Sequence, residues 1–404
     1  MKIRSLTLIA LLLALLTAAG CAKTPEQEDE PRVTPVPEAE YTVSHVVRYW
    51  PEDADYDTCD YACVAQVPEF SLSHTCGYRM NAEVEAYLES LERRIETFYI
   101  PNSEAKPPYT EVAFEVVRTG DITNIIFREK HSWEVVPYTE SHVVMLDENG
   151  GRISLNDVFM TYHAGERIAE VIAERLEKDP RFAAKTKEEL LPLIDLREGG
   201  YAIENGARVY IKRGGIAPVE EGELAFEVSF EEAHPELEAA DISWDEYRGL
   251  VRLLRAASEA IVVRMESFEN GEMSVYTAMG FMARAVRELK LVPEAGRICV
   301  PQKDFEALYT ACTGAQFPGI DEAEHDIELE DGVYSVKNTL PPYEYNVDII
   351  SLTREGENVL IDGDLIYGAF GFRASEFNCH IRLTLRESGE SPYGFEVRSL
   401  ELYY

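Results

Sequence analysis

Positive charge is what this chain has least of. Its 404 residues carry 38 Lys and Arg against 74 Asp and Glu, a formal net charge of −36. Such a surface repels nucleic acid and anionic lipid, and attracts cations and basic proteins over roughly a Debye length, about 8 Å at physiological salt. Nucleic-acid partners are thereby excluded. Long apolar runs are missing too: beyond Leu6 to Leu16, no stretch approaches the ~20 residues that a spanning helix requires, so the chain is not expected to cross a membrane. Catalytic signatures are absent as well. There is no G-x-S-x-G elbow, no phosphate-binding P-loop and no dinucleotide fingerprint, and the eight histidines are scattered. No enzyme activity and no cofactor are expected from such a pattern.

What is present begins at the N-terminus. Lys2 and Arg4 precede the apolar run of 11 residues, and Thr-Ala-Ala-Gly-Cys closes it at 17–21. The segment resembles a bacterial lipoprotein signal peptide with its lipobox. That resemblance implies removal of residues 1–20 and acylation of Cys21, with the chain lipid-anchored to a cell membrane and facing the extracytoplasmic side. Residues 21–40 hold four prolines and many acids but no aromatic residue, so they read as an extended, self-repelling tether.

Hydrophobic content of 46% with 28% charged residues is globular, and the periodicities beyond the tether predict an α+β protein of two domains, 41–235 and 241–404. Each is expected to pack helices on a mainly antiparallel sheet. In the first, strands are expected at 41–50, 64–72, 110–118 and 122–128, with two more flanking Pro137. The clearest helix spans 80–99, where Val84, Tyr87, Leu88, Leu91, Ile95 and Phe98 recur at helical spacing. Asn149-Gly150-Gly151 predicts a hairpin turn. Leu224, Phe226, Val228 and Phe230 are expected on one face of a strand. After a break at 233–241, helices are predicted from Trp244 through Val262, at 273–290 and at 302–311. The period then switches to two, predicting strands near 333–337, 344–352, 357–368, 376–386 and 393–402.

Three stretches of the first domain carry a resemblance. They are the helix opening with Asn81 after Val67-Pro68-Glu69-Phe70-Ser71, the run 141–159 and the run 209–230. Over about 41–232 the chain resembles the extracellular region shared by RsiV-type anti-sigma factors and PdaC-type peptidoglycan deacetylases. The resemblance implies an α+β fold and, from the anti-sigma factors, lysozyme as a ligand. It does not extend to a sigma-binding segment or a deacetylase domain, and no binding residue transfers position by position.

Other constellations are tested on chemistry alone. Cys59, Cys63 and Cys76 supply a candidate disulfide, with Cys76 bridged to Cys59 or Cys63. Adding His74 supplies zinc-ligand types, but at spacings unlike the usual templates. Asp53, Asp55 and Asp57 start like a calcium loop, yet Thr58 and Val64 stand where glycine and glutamate are required. Glu166, Glu170 and Glu174 share a helix face with Arg167 and Arg175 interleaved, and read as a solvated face. Cys379 falls on an apolar strand face and reads as a buried thiol. The expected function is binding of an extracellular ligand, a cationic protein such as lysozyme. A peptidoglycan-binding module and an unrecognised cell-wall hydrolase are the alternatives.

Overall fold

Alternating valines and aromatics form a hairpin of two ten-residue strands, β1 (Tyr41–Trp50) and β2 (Tyr61–Phe70), paired in register from Tyr41↔Phe70 to Trp50↔Tyr61. In this computed structural model the described residues are 41–403, apart from 56, 73–75, 99–108, 133–136, 162, 183–184, 195, 197–199, 215, 217–218, 290–295, 322–325, 338–344 and 368–375. The expected signal peptide, Cys21, the tether and His74 lie outside them.

Helix α1 (Gly77–Phe98) follows, then β3 (Tyr109–Thr119), β4 (Ile122–His131) and β5 (Tyr138–Leu146), giving a sheet of order β1-β2-β3-β4-β5. Every pairing is antiparallel except β2 with β3, because α1 is the crossover that returns the chain parallel to β2. The apolar stripe read from the sequence is the packed one. Val84, Tyr87, Leu91 and Ile95 are at most 5% exposed and lie over Cys63, Ala65, Val67, Val112 and Phe127. The entrance of α1 is held by one carboxamide: Asn81 Oδ1 accepts from Phe70 N at 2.8 Å and its Nδ2 donates to Phe70 O at 2.9 Å.

The Asn149-Gly150-Gly151 turn forms as expected, with Gly150 at φ 73° and packed against the Cys76 carbonyl. The strand expected after it is reduced to a single bridge, Arg152 to Leu146. The reason is a capping box. Ser154 and Asp157 satisfy each other's backbone N–H and start helix α2 (Leu155–Phe159). Helices α3 (Ala164–Glu177) and α4 (Lys187–Leu190) lead to a small sheet of β6 (Tyr201–Ile203), β7 (Ala207–Ile211) and β8 (Leu224–Val228). This sheet lies against β4 and β5 through Ile126, Val143, Ala202 and Tyr210. Asn124 repeats the device of Asn81: Oδ1 accepts from Ile203 N at 2.9 Å and Nδ2 donates to Ile203 O at 2.7 Å.

The strand expected to include Phe230 stops at Val228 for the same reason as before. Ser229 and Glu232 form a second capping box and turn the chain into α5 (Phe230–Ala233). Helix α6 (Glu236–Ala239) and the long α7 (Trp244–Arg264) come next, α7 opening with the reciprocal Ser243–Glu246 bonds. After α8 (Val275–Leu289), β9 (Arg297–Pro301) and α9 (Gln302–Thr313), the elements among the described residues are all strands. They are β10 (Ile327–Glu330), β11 (Val333–Lys337), β12 (Tyr345–Glu355), β13 (Asn358–Tyr367), β14 (Glu376–Glu387) and β15 (Phe395–Tyr403).

The last four strands form an antiparallel meander, and β10-β11-β9 a separate small sheet; in this half β9 and β10 are strands the periodicity did not announce. Cys379, Ile381, Leu383 and Leu385 are buried and His380 and Arg382 exposed, the face division read from the sequence. The protein is thus α+β, helices packed on mainly antiparallel sheets. One apolar core runs from Ile122 to Leu402, and Leu237, Ala240 and Ile242 of the stretch at the expected domain boundary belong to it. Among the described residues no helix is long and apolar enough to cross a membrane.

Replacing Asn81 with Ala strands the Phe70 N–H and C=O between helix and sheet. Urea unfolding of Asn81→Ala is expected to lose about 1–3 kcal/mol, whereas Ala82→Ser, one position along and exposed, changes stability by less than about 0.5 kcal/mol.

Candidate functional site

Ionisable side chains lie inside the fold at several places, among them beneath α1 and along α7. The first is set between α1 and the sheet. Glu129 of β4 faces inward, 1% exposed, and takes both arms of Arg94: Nη1 at 2.9 Å from Oε2 and Nη2 at 2.7 Å from Oε1. Tyr87 donates its hydroxyl to Oε1 at 3.1 Å, and His131 Nε2 lies 3.3 Å from Oε2. Beyond the imidazole, His131 Nδ1 is 2.7 Å from Thr110 Oγ1, which also contacts the Tyr61 hydroxyl. Burial works to raise the Glu129 carboxyl, but bonds from His131 and Arg94 overcome it and hold it down to about 2. Burial pushes His142, beside Tyr87, down to about 4.

Hydroxyl, imidazole and carboxylate therefore stand in the order that nucleophilic catalysis uses. The chemistry needs more than order, because the hydroxyl has to meet a substrate. Thr110 is 0% exposed, with Tyr61 against its other side and the Tyr87 ring stacked on Phe127 at 3.7 Å nearby. The network ties α1 to three strands and gives every buried charge a partner.

The second group is built on α7. Arg248, Arg252 and Arg255 stand at i, i+4 and i+7, so they share one helix face. Arg248, 5% exposed, donates from Nε and Nη2 to the Asp121 oxygens at 2.9 and 2.8 Å, and from Nη1 to Val158 O at 2.8 Å. Arg252 Nη2 lies 3.3 Å from Glu148 Oε1, with its guanidinium 5.5 Å from the centre of the Tyr393 ring. Arg255 reaches Asp157 O at 3.2 Å. Burial pushes Glu148 up to about 7, with Arg252 opposing it. It also raises Asp147, whose Oδ1 accepts from Asn149 N and Gly151 N at 2.9 and 2.7 Å. For Asp121 burial is overcome, and Arg248 holds the carboxyl below its ordinary value. No motif announces this site. Its signal is three arginines on one face of a helix whose Leu250, Val251, Leu253 and Leu254 are all 0% exposed.

A cleft of about 580 Å³ lies elsewhere, lined by Asn270, Glu272, Met273, Gly314, Gln316 and Arg398 among others. Its arginine is already 3.3 Å from the Glu396 carboxylate. Its lining does not include either buried group.

The residues singled out in the sequence behave differently. Cys59 and Cys63 lie at the Tyr61 end of β2. Cys76 lies at the other end, since Gly77 packs on Ser71 beside Phe70. A ten-residue strand separates its ends by roughly 30 Å, far beyond the ~6 Å between bridged Cα atoms. The expected bridge from Cys76 to Cys59 or Cys63 is therefore not formed, and the three do not converge as metal ligands. Burial raises all three thiols, Cys63 up to about 12. Among the described residues no group of three His, Cys, Asp or Glu could hold a metal ion. Asp55 folds its own loop, accepting from Asp57 N, Thr58 N and Thr58 Oγ1. The α3 carboxylates are partnered in solvent: Glu170 is ion-paired to Arg167 at 3.5 Å and Glu174 to Lys187 at 2.8 Å, and Glu166 Oε2 lies 3.1 Å from His163 Nδ1.

No protein-family model matches the chain, and no curated protein does. Among solved structures, a DUF3298 family protein from Pseudomonas aeruginosa PAO1 is similar over 48% of this chain and 92% of its own, at 12% identity and a TM-score of 0.33. A DUF3298 family member from Bacteroides fragilis is similar over 48% of this chain and 90% of its own, at 12% identity and a TM-score of 0.29.

Glu129 and Glu148 link to stability with opposite sign. Glu129, depressed on folding, contributes stability above its ordinary 4.5 that is lost as pH falls toward about 2, and protonation of His142 between 6.5 and about 4 adds to that acid loss. Glu148, raised on folding, favours the fold below 4.5 and withdraws that support as pH rises toward about 7. Denaturant unfolding at pH 4 to 8 is expected to show Glu148→Gln gaining on the unaltered chain as pH rises through 5–7 and holding that gain above 7. Equal slopes in the two proteins would contradict this.

Proposed function

We propose that the chain is a lipid-anchored extracytoplasmic binding protein whose ligand is a cationic protein of the lysozyme kind, the ligand class that the resemblance implies. The observation that carries the reading is where the charge lies. Three arginines of the interior each face an acid: Arg94 with Glu129, Arg248 with Asp121, Arg252 with Glu148. These pairs take nothing from the net −36 of the sequence, and acids such as Glu52, Asp53, Asp57 and Asp60 face solvent. Opposite net charge speeds encounter, and complementary patches select the partner. A basic protein is attracted to such a body at distances where a neutral glycan is not.

A second reading keeps the same anchor but gives it peptidoglycan as ligand. It draws on exposed aromatic rings, Tyr78 at 75% above all, because such rings stack on sugars.

Salt separates the two. Pull-down on immobilised lysozyme at low ionic strength is expected to retain the chain and to lose it as salt rises through about 0.15–0.5 M. No retention at low salt, with sedimentation on purified peptidoglycan unaffected by salt, would reverse the preference. The anchor is tested separately. Cys21→Ser is expected to move the chain from the membrane fraction to the soluble fraction of an expressing bacterium, and an unaltered distribution would remove the lipid anchor from the proposal.

A further inference from the structure

β1 closes one side of the five-stranded sheet. It pairs with β2, and among the described residues no strand pairs with its other side. A free edge offers a row of backbone donors and acceptors, and proteins usually shorten it, bend it or interrupt it with charge or proline. β1 has none of the shortening devices: it is ten residues without glycine or proline, and its one permanent charge, Arg48, is tied to Glu92 at 2.9 Å.

The two faces beside this edge differ. Val46 and Trp50 pack on the α1 side, so Val43, His45, Val47 and Tyr49 belong to the open face. There Val43 is 52% exposed and Val47 42%, and Val64, paired with Val47, is 39% exposed. On the α1 side the edge is bordered by carboxylates. Glu92 holds Arg48, and Glu96 Oε1 lies 3.5 Å from Trp50 Nε1. Glu52, Asp53, Asp55, Asp57 and Asp60, all exposed, crowd the loop where β1 ends.

We propose that this edge is the recognition surface of the binding function read above, on which the inference rests, and that it takes up an extended segment of the cationic partner as an added strand. Backbone pairing supplies the affinity and the two faces supply the selection. Because side chains of a strand alternate, the segment that fits alternates too. Its apolar residues lie beside Val43 and Val47, and its basic residues on the α1 side toward Glu92 and Glu96. A second copy of this chain is the competing occupant, and charge opposes it: two bodies of −36 repel.

The test uses the whole chain with two ten-residue peptides of equal composition, one alternating Lys and Val, the other with five Lys followed by five Val. The alternating peptide is expected to bind at least tenfold more tightly and to slow amide exchange within 41–50. The double variant Val43→Lys with Val47→Lys, at half-exposed positions, is expected to lose at least tenfold for that peptide and for lysozyme. Glu166→Lys with Glu170→Lys on α3 changes the net charge more and is expected to lose less than threefold. If lysozyme binds both variants and the unaltered chain equally, with no protection at 41–50, the edge assignment is overturned while the cationic-protein reading stands. If lysozyme does not bind yet the alternating peptide protects 41–50, the edge stands and that reading falls. Protection of 41–50 that rises with protein concentration alone makes the second copy the occupant and overturns the proposal.

Discussion

A guanidinium cannot sit among leucines without a partner for its charge; the penalty is several kcal/mol for an unpaired ion. Arg248 meets that demand with both oxygens of Asp121 and the carbonyl of Val158. Much of the architecture follows from it. The β3–β4 turn that carries Asp121, the end of α2 that offers Val158 O, and the face of α7 that carries Arg248 have to meet at one place. Arg252 and Arg255, on the same face, extend the seam to Glu148 and to Asp157 O. A helix with an apolar circumference has no intrinsic rotational preference in a core. Three arginines on one side supply it.

The same constraint organises the space beneath α1. Glu129 is tolerated there because Arg94, Tyr87 and His131 all point hydrogens at it. Thr110 and Tyr61 continue the network, which fixes a helix over a sheet. Neutral pairing inside has a consequence outside. With these interior pairs matched, the long-range field that a partner meets is left to side chains in solvent.

Two asparagines make the layers possible. Asn81 and Asn124 each present a carboxamide to the N–H and C=O of one residue, Phe70 and Ile203, in place of a neighbouring strand. A side-chain amide has one donor and one acceptor side, as a peptide unit has, so it can close a backbone that no strand continues. By this means a helix entrance and a second sheet are docked where ladder hydrogen bonds cannot reach.

Much of this architecture was legible in the residues. The stripe Val84, Tyr87, Leu91, Ile95 and the alternation Cys379, Ile381, Leu383, Leu385 give the packed faces directly, because periods of 3.6 and 2 are properties of the local backbone. The strand ends after Gly151 and at Val228 were legible too, in Ser154-x-x-Asp157 and Ser229-x-x-Glu232, but only to a reader who weighs a helix cap above an apolar alternation. Proximity was not legible. Cys59 and Cys76 stand close in the chain and a strand's length apart in space, while Arg248 and Asp121 are bonded across 127 positions. Local order, the acidic balance and the elements themselves belong to the sequence. Which charge finds which partner, and which strand is left without a neighbour, only tertiary packing decided, because both depend on segments that meet after the chain has folded.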